Sequence, residues 1–302
     1  MTPLNYDSPL ALRAFLEERG WGMRKKWGQN FLIKGAIRKK LAAALEIKPG
    51  DGVWEIGPGL GAMTRELLEQ GARVKAFEID SGFTGFLQEE FGGRADFSLV
   101  PGDALKTWKG EGRVPFLLGN LPYNIAAVLL GDLIEGNRFF RRMVVTVQKE
   151  VGRRLTARPG QADYSSITVL IAGLYDVKPL ITMGASCFYP RPRVDSLGLR
   201  LDLREGLDLP ITEAGEGITI PFSPLLYPMV RRLFSFRRKT VKNSLGAFVS
   251  SRSGADQPPA GQKDLVMTAL ERCGISPGER PENLDIPQFQ ELARQLQDLG
   301  LG

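Results

Sequence analysis

Short apolar runs alternate with helical periodicities along the first two thirds of the chain. Near-continuous apolar stretches at 52–56, 73–79, 97–100, 114–118 and 143–147 have the pattern of strands buried on both faces. Between them, apolar positions recur at three- and four-residue spacing over 36–45, 62–70 and 125–134, which predicts amphipathic helices. A basic helix through Arg154, a further helix over 164–174 and closing strands at 177–182 and 196–203 complete this part. Strands and helices alternating in this way predict an α/β fold with a mostly parallel sheet covered on both faces. Residues 1–22 read as an extension carrying one amphipathic helix, 9–19. Acids, Gly and Pro are interspersed over 206–222, which reads as a linker. The remainder, 223–302, is helical, with segments at 228–236, 239–249, 264–273 and 287–299 and an insertion at 250–262. The expected organisation is thus an extension (1–22), an α/β domain (23–205), a linker (206–222) and a small all-helical domain (223–302).

Charge adds a direction to this frame. The 302 residues carry a formal net charge of +6, which favours an anionic partner. Three basic clusters stand apart in the chain. Residues 23–40 hold Arg24, Lys25, Lys26, Lys34, Arg38, Lys39 and Lys40 without an acid, 141–158 is rich in Arg and includes Arg153 and Arg154, and 231–242 includes Arg237, Arg238 and Lys239. Each cluster alone is consistent with solvated surface charge; together they suggest a nucleic-acid surface. The chain has no histidine, which excludes His-based acid–base catalysis, Ser-His-Asp triads and nearly every catalytic zinc site. Cys187 and Cys273 have no motif spacing, so neither a metal site nor a disulfide framework is expected. No apolar run is long enough to span a bilayer and the first residues lack a hydrophobic signal core, so a cytoplasmic setting is expected.

Candidate chemistry gathers at the ends of the expected strands. The strand over 52–56 runs into Gly57-Pro58-Gly59-Leu60-Gly61, whose glycines let backbone approach a ligand and aim helix N–H groups at it. Glu78 lies 21 positions after Gly57, near the offset at which an acid grips ribose hydroxyls in a nucleotide-binding βαβ unit. The loop also satisfies a dinucleotide pattern, but Glu55 just before it would repel a pyrophosphate and suits the cationic end of S-adenosylmethionine. A second reading has Glu55 satisfying backbone amides of the turn. Asp103, after the strand at 97–100, either accepts from an adenine amine or caps the next helix. Asn120-Leu121-Pro122-Tyr123 follows the strand at 114–118. There a carboxamide oxygen and a backbone carbonyl can accept both hydrogens of an exocyclic base amine while the tyrosine ring stacks on the base. The bland alternative is a strand-to-helix turn in which Asn caps and Tyr fills a gap. Arg191 and Arg193, in the proline-interrupted stretch 188–195, suit phosphates, or else belong to a rigid surface loop.

Taken in order, GQNFL at 28–32, EIGPGLG at 55–61, EID at 78–80, GDAL at 102–105 and NLPYN at 120–124 form a specific series. It continues with QKEV from 148, FYPRPRVDS at 188–196, FRRKTVKNSL at 236–245 and RPENL at 280–284. The series resembles the ribosomal RNA adenine dimethyltransferase family that modifies small-subunit rRNA, and the resemblance covers nearly the whole chain. It implies a Rossmann-like class I methyltransferase with a seven-stranded sheet. The implied reaction puts two methyl groups on N6 of adenosines near the 3′ end of small-subunit rRNA within an immature 30S particle, with S-adenosylmethionine as donor. No metal or membrane is implied, and the default state is a monomer. Asn30, Leu32, Gly57, Glu78, Asp103 and Asn120 would line the cofactor pocket together with Glu55, Gly59 and Gly61, and the 120–123 motif would hold the target amine. Trp27, Lys34, Ser81-Gly82-Phe83 and the insertion at 250–262 depart from the family pattern without touching this chemistry.

Methyl transfer from a sulfonium has a good leaving group, so positioning and electrostatics can supply the rate without a histidine. Neither cysteine is placed to act as the nucleophile that cytosine C5 methylation needs. Three rivals stay open at this point: a large-subunit rRNA adenine methyltransferase, a non-catalytic RNA-binding assembly factor on the same fold, and a nicotinamide dehydrogenase, which Glu55 disfavours.

Overall fold

The computed structural model describes residues 4–22, 29–122, 125–207, 209–211, 222–252 and 261–301. Two compact units emerge, one formed by 1–152 and 175–217, the other by 153–174 and 218–302. This division differs from the sequence boundary, because 153–174 joins the helical unit rather than the α/β one.

The first unit is built on a seven-stranded sheet. Its strands are β2 (Gly52–Ile56), β3 (Arg73–Glu78), β4 (Phe97–Pro101), β5 (Phe116–Asn120), β6 (Arg142–Gln148), β7 (Tyr175–Met183) and β9 (Ser196–Leu203), in the order β4-β3-β2-β5-β6-β9-β7. Pairings from β4 across to β6 are parallel, and β9 pairs antiparallel with both β6 and β7. A separate two-residue ladder joins β1 (Phe31–Leu32) to β8 (Phe188–Tyr189). The helices of this unit are α1 (Pro9–Glu18), α2 (Gly35–Ala43), α3 (Ala62–Glu69), α4 (Ser81–Phe91), α5 (Ala104–Thr107) and α6 (Ala126–Glu135).

Local chemistry accounts for these elements. β2 is buried along its whole length, as a central strand covered on both faces must be. Gly57, Gly59 and Gly61 all have positive φ, so the turn after β2 needs glycine at each place. Helix α4 was not legible as a helix in the Ser81-Gly82-Phe83 departure. Asp80 caps it through Gly82 N–H, and Phe83, Phe86, Leu87 and Phe91 form its buried stripe. The strand expected at 114–118 lies two residues later. Pro115 lacks an N–H and falls outside it, so Asn120 is the last residue of β5 rather than part of a following loop. The expected extension does not stand apart. Leu12 and Leu16 of α1 bury against Leu60, Phe83 and Phe86 of the α/β core.

The second unit is helical. It contains the end of α7 (Lys149–Thr156), then α8 (Ser166–Ala172), α9 (Leu226–Ser235), α10 (Val241–Arg252), α11 (Gln262–Arg272) and α12 (Ile286–Asp298). Leu226, Met229, Val230 and Leu233 give α9 one apolar face, which packs in a core with Leu245, Leu270 and Leu292. No helix among the described residues is long and apolar enough to cross a membrane.

Candidate active site

The carboxyl ends of four adjacent strands bring the candidate residues together. Gly57 follows β2, Glu78 ends β3, Gly102-Asp103 follows β4 and Asn120 ends β5. Because β3 and β4 are added on one side of β2 and β5 and β6 on the other, the strand order reverses at β2, and open α/β sheets form their ligand crevice at such a switch point. A cavity of about 320 Å³ occupies the position, a size suited to a small-molecule ligand. Asn30, Leu32, Glu55, Gly57, Gly59, Glu78, Asp103, Asn120 and Pro122 all line it. Of the expected cofactor residues, Gly61 is not in the lining; a Cβ there would meet the Phe91 ring at 2.5 Å, so this glycine serves packing.

Each polar side chain in the cavity has a defined support. Glu55 is 2% exposed and its Oε2 accepts from the Thr64 hydroxyl at 2.6 Å. Burial pushes its carboxyl up to about 8, against the lowering effect of that hydrogen bond and with a further rise from Glu78. The bland reading, in which Glu55 ties down amides of the glycine turn, belongs instead to Glu78. Its Oε2 accepts from Gly59 N–H at 3.0 Å and its Oε1 from Asp80 N–H at 2.8 Å. Burial raises Glu78 to about 7 while those amides pull it down. Asp103 accepts from Leu105 N–H at 3.0 Å, so the capping role is real, and the same side chain still faces the cavity.

Asn120 is half-buried, and its Nδ2 donates to the Asn30 carbonyl at 2.8 Å. That bond fixes the amide: the NH₂ faces a carbonyl, so Oδ1 is its accepting atom. Leu121 is buried, does not line the cavity, and donates its N–H to the Thr146 carbonyl at 3.0 Å. Its side chain therefore packs in the core rather than facing the cavity. The Pro122 carbonyl accepts from Ile125 and Ala126 N–H at 3.1 and 3.2 Å. Tyr123, Lys25 and Lys26 lie outside the described residues.

Several lining residues carried no signal in the motif reading. Gln29 donates to Asp80 at 2.9 Å, the Phe31 ring centre lies 5.6 Å from that of Phe83 with the rings tilted at 55°, and Ile79, large and apolar, is 41% exposed. Ile79 stands inside the EID motif and Phe31 inside GQNFL, so both were adjacent to recognised residues and distinguishable only by where the strand ends aim them.

The basic clusters divide on inspection. Arg191, Arg193, Arg238 and Lys239 are exposed. Arg153 is exposed but pairs with Asp163 at 3.1 Å, and Arg154 is also exposed. Arg237 differs from the expectation: it binds Glu282 at 2.7 Å and the Ala162 carbonyl at 2.8 Å, both within the helical unit. Arg38 is buried, pairs with Asp7 at 2.8 Å and donates to the Leu32 carbonyl at 2.9 Å, so it is part of the scaffold and not of a basic surface.

The charge balance of the cavity limits what it can hold. Glu55, Glu78 and Asp103 line it, and no Lys or Arg does so among the described residues. Three acids with no balancing base suit a cationic ligand, whose charge favours the ionised form of the buried Glu55 and Glu78, and oppose a pyrophosphate.

Comparison with known proteins agrees with this geometry. A family model described as ribosomal RNA adenine dimethylase matches residues 21–255. The ribosomal RNA small subunit methyltransferase A of Treponema denticola is 39% identical over 295 residues, covering 96% of this chain and 94% of the relative. Its counterpart in Moorella thermoacetica is 37% identical over 296 residues, covering 94% of this chain and 96% of the relative. A dimethyladenosine transferase structure from Plasmodium falciparum superposes with a TM-score of 0.71 at 26% identity, covering 88% of this chain and 97% of that one. The 23S rRNA methyltransferase ErmE shares the fold, with a TM-score of 0.58 at 24% identity over 88% of this chain and 99% of its own. With motifs, sheet order and near full-length relatives in agreement, the chain belongs to the ribosomal RNA adenine dimethylase family.

Proposed function

We propose that the cavity is an S-adenosylmethionine site and that the protein dimethylates N6 of two adjacent adenosines near the 3′ end of small-subunit rRNA. The substrate in this reading is an immature 30S particle and the setting cytoplasmic, with the enzyme acting as a monomer. The observation that carries the cofactor assignment is the excess of acids over bases around a glycine-lined cavity at the strand ends. A nicotinamide dinucleotide would bring its pyrophosphate against Glu55 with no counter-charge in the lining, whereas a cationic ligand favours the ionised form of a carboxyl that burial otherwise keeps protonated. A Cβ at Gly59 would lie 3.0 Å from the Phe31 ring, so glycine there lets the turn pack against an aromatic that itself lines the cavity.

In this reading Glu78 accepts from the ribose hydroxyls with the lone pairs that Gly59 and Asp80 leave over, and Asp103 accepts from the cofactor's adenine amine. Ile79 offers an apolar surface to that ring. Glu55, oriented by Thr64, faces the cationic amino-acid end. When bound, S-adenosylmethionine supplies an electrophilic methyl group on a sulfonium.

The chain's own task is to present the nucleophile. An adenine amine is a poor one because its lone pair is delocalised into the ring. Asn120 Oδ1, held in place by the bond from Nδ2 to Asn30, accepts one amine hydrogen, and the Leu121 carbonyl accepts the other. With both hydrogens held, the nitrogen is favoured as a pyramid whose lone pair faces the methyl group, and Tyr123 stacks on the extruded base. The proton leaves to water after transfer, so no histidine is needed. Lys25, Lys26, Arg153, Arg154, Arg191, Arg193, Arg238 and Lys239 supply the phosphate contacts, while Arg237 is engaged by Glu282 and the Ala162 carbonyl.

The test is to incubate the protein with S-adenosylmethionine and small subunits from cells lacking this gene, then map the rRNA by mass. A new dimethyladenosine pair near the 3′ end is expected. Methylation of purified large subunits instead would move the substrate to the rival rRNA, and cofactor binding with no methylation of either would leave the assembly-factor reading.

A further inference from the structure

We infer that the segment ahead of the family match, and Tyr6 in particular, is a brace that sets cofactor affinity. This rests on the reading of the cavity as the S-adenosylmethionine site. The family match begins at residue 21, yet residues before it reach two walls of the cavity from behind.

The first contact is with the glycine turn. Tyr6 is 6% exposed, and its hydroxyl donates to the Leu60 carbonyl at 2.8 Å. Leu60 sits between Gly59 and Gly61, three residues in which two glycines hold positive φ and have no side chain to anchor them. A turn so rich in glycine has more conformations to lose than most, and a ligand that needs its amides in one place must bear that ordering cost unless the protein has done so already. Burial holds the Tyr6 phenol well above its ordinary value, so it remains an O–H donor at any working pH. The Arg65 guanidinium lies 5.0 Å from the Tyr6 ring centre and restrains its orientation.

The second contact is with the opposite wall. Asp7 pairs with Arg38 at 2.8 Å, and Arg38 donates to the Leu32 carbonyl at 2.9 Å. Leu32 belongs to the 29–32 stretch that lines the cavity and that holds Asn120 through the Asn30 carbonyl. Gly35 makes room for this, since a Cβ there would lie 3.0 Å from the Asp7 carboxylate. Two consecutive residues thus tie the glycine turn and the 29–32 stretch to one anchor. The anchor is held in turn by Leu12 and Leu16 of α1, packed with Leu60, Phe83 and Phe86. Phe83 is itself a cavity wall. Tyr6 is a positioning residue: it touches neither cofactor nor reacting atoms.

The experiment compares wild type with Tyr6→Phe, which keeps the ring and its packing and removes only the hydroxyl. S-adenosylmethionine affinity is measured by calorimetry, kcat and KM on unmodified small subunits, and thermal unfolding with and without cofactor. The expected result is a Kd and a cofactor KM raised about five- to tenfold, the scale of one lost buried hydrogen bond, with kcat at saturation changed less than about twofold. Asp7→Asn is expected to act in the same direction, and the double variant to exceed either. Unchanged affinity in Tyr6→Phe, with only a lower unfolding temperature of the free protein, would reduce Tyr6 to a structural residue and overturn the inference. A wild-type protein that fails to bind S-adenosylmethionine would overturn the reading beneath it instead, so the two failures are told apart.

Discussion

Replacing Glu55 by Gln should weaken the dependence of the free protein's stability on pH. In the folded chain Glu55 is raised from an ordinary 4.5 to about 8 by burial, and Glu78 to about 7. Between about 4.5 and 8 the folded state therefore holds more protons than the unfolded chain, and the sign follows: stability is complete below the unfolded midpoint and falls as pH rises. Each pH unit between folded and unfolded midpoints is worth about 1.4 kcal/mol, so Glu55 alone removes at most ~5 kcal/mol across the window. Water entry into the cavity and coupling to Glu78 reduce this, and a measured ~2–3 kcal/mol is expected. Gln keeps an oxygen to accept from Thr64 Oγ1, now 2.6 Å from Glu55, and cannot ionise. Thermal unfolding across pH 5.5 to 8.5 should show the wild type losing stability while Glu55→Gln stays flatter. Saturating S-adenosylmethionine should flatten the wild-type curve as well, because its cationic end compensates the carboxylate. Parallel curves for the two proteins would show that Glu55 does not ionise in this window and would refute the burial-driven rise on which this prediction rests.

Other outcomes follow from the same geometry. Asp103→Ala should weaken cofactor binding first and lower stability by about 1 kcal/mol through the lost cap at Leu105; calorimetry showing unchanged affinity would leave only the cap. Neutralising Arg238 or Lys239 should reduce the log–log salt slope of RNA binding by about 0.9 per lost phosphate contact, and an unchanged slope would move the RNA surface elsewhere. Arg237→Ala should leave that slope alone and destabilise the helical unit, since its partners are Glu282 and the Ala162 carbonyl; a flattened slope with intact stability would reverse this assignment.

The sequence disclosed most where local chemistry decides structure. β2 and its glycine turn lie where the apolar run at 52–56 and Gly57 to Gly61 placed them, because a buried strand followed by obligatory positive φ has few alternatives. Asn120, Glu78 and Asp103 were legible as strand-end residues, and the parallel sheet then brought them to one cavity. What escaped depends on contacts between distant residues. The pairing of Phe31–Leu32 with Phe188–Tyr189 leaves no periodicity in either segment. Helix α4 has a stripe of Phe83, Phe86, Leu87 and Phe91, but Gly82 and Gly85 within it lower its local helix propensity. Arg38 looked like one more cation in a basic run until Asp7, folded back from the extension, gave it a partner. Arg237 likewise looked like one more cation in its run, its acid partner Glu282 lying 45 residues further on.

The central claim is that Asn120 presents the adenine amine beside a cavity that binds the cofactor on its own. Its most direct measurement is Asn120→Ala assayed twice, for S-adenosylmethionine affinity and for single-turnover methylation of unmodified small subunits. The account predicts a loss of about 10²-fold or more in turnover, comparable to removing one preorganised polar contact from a transition state, with affinity changed only a few-fold. Turnover at the wild-type rate, or a loss wholly explained by weaker cofactor binding, would contradict it.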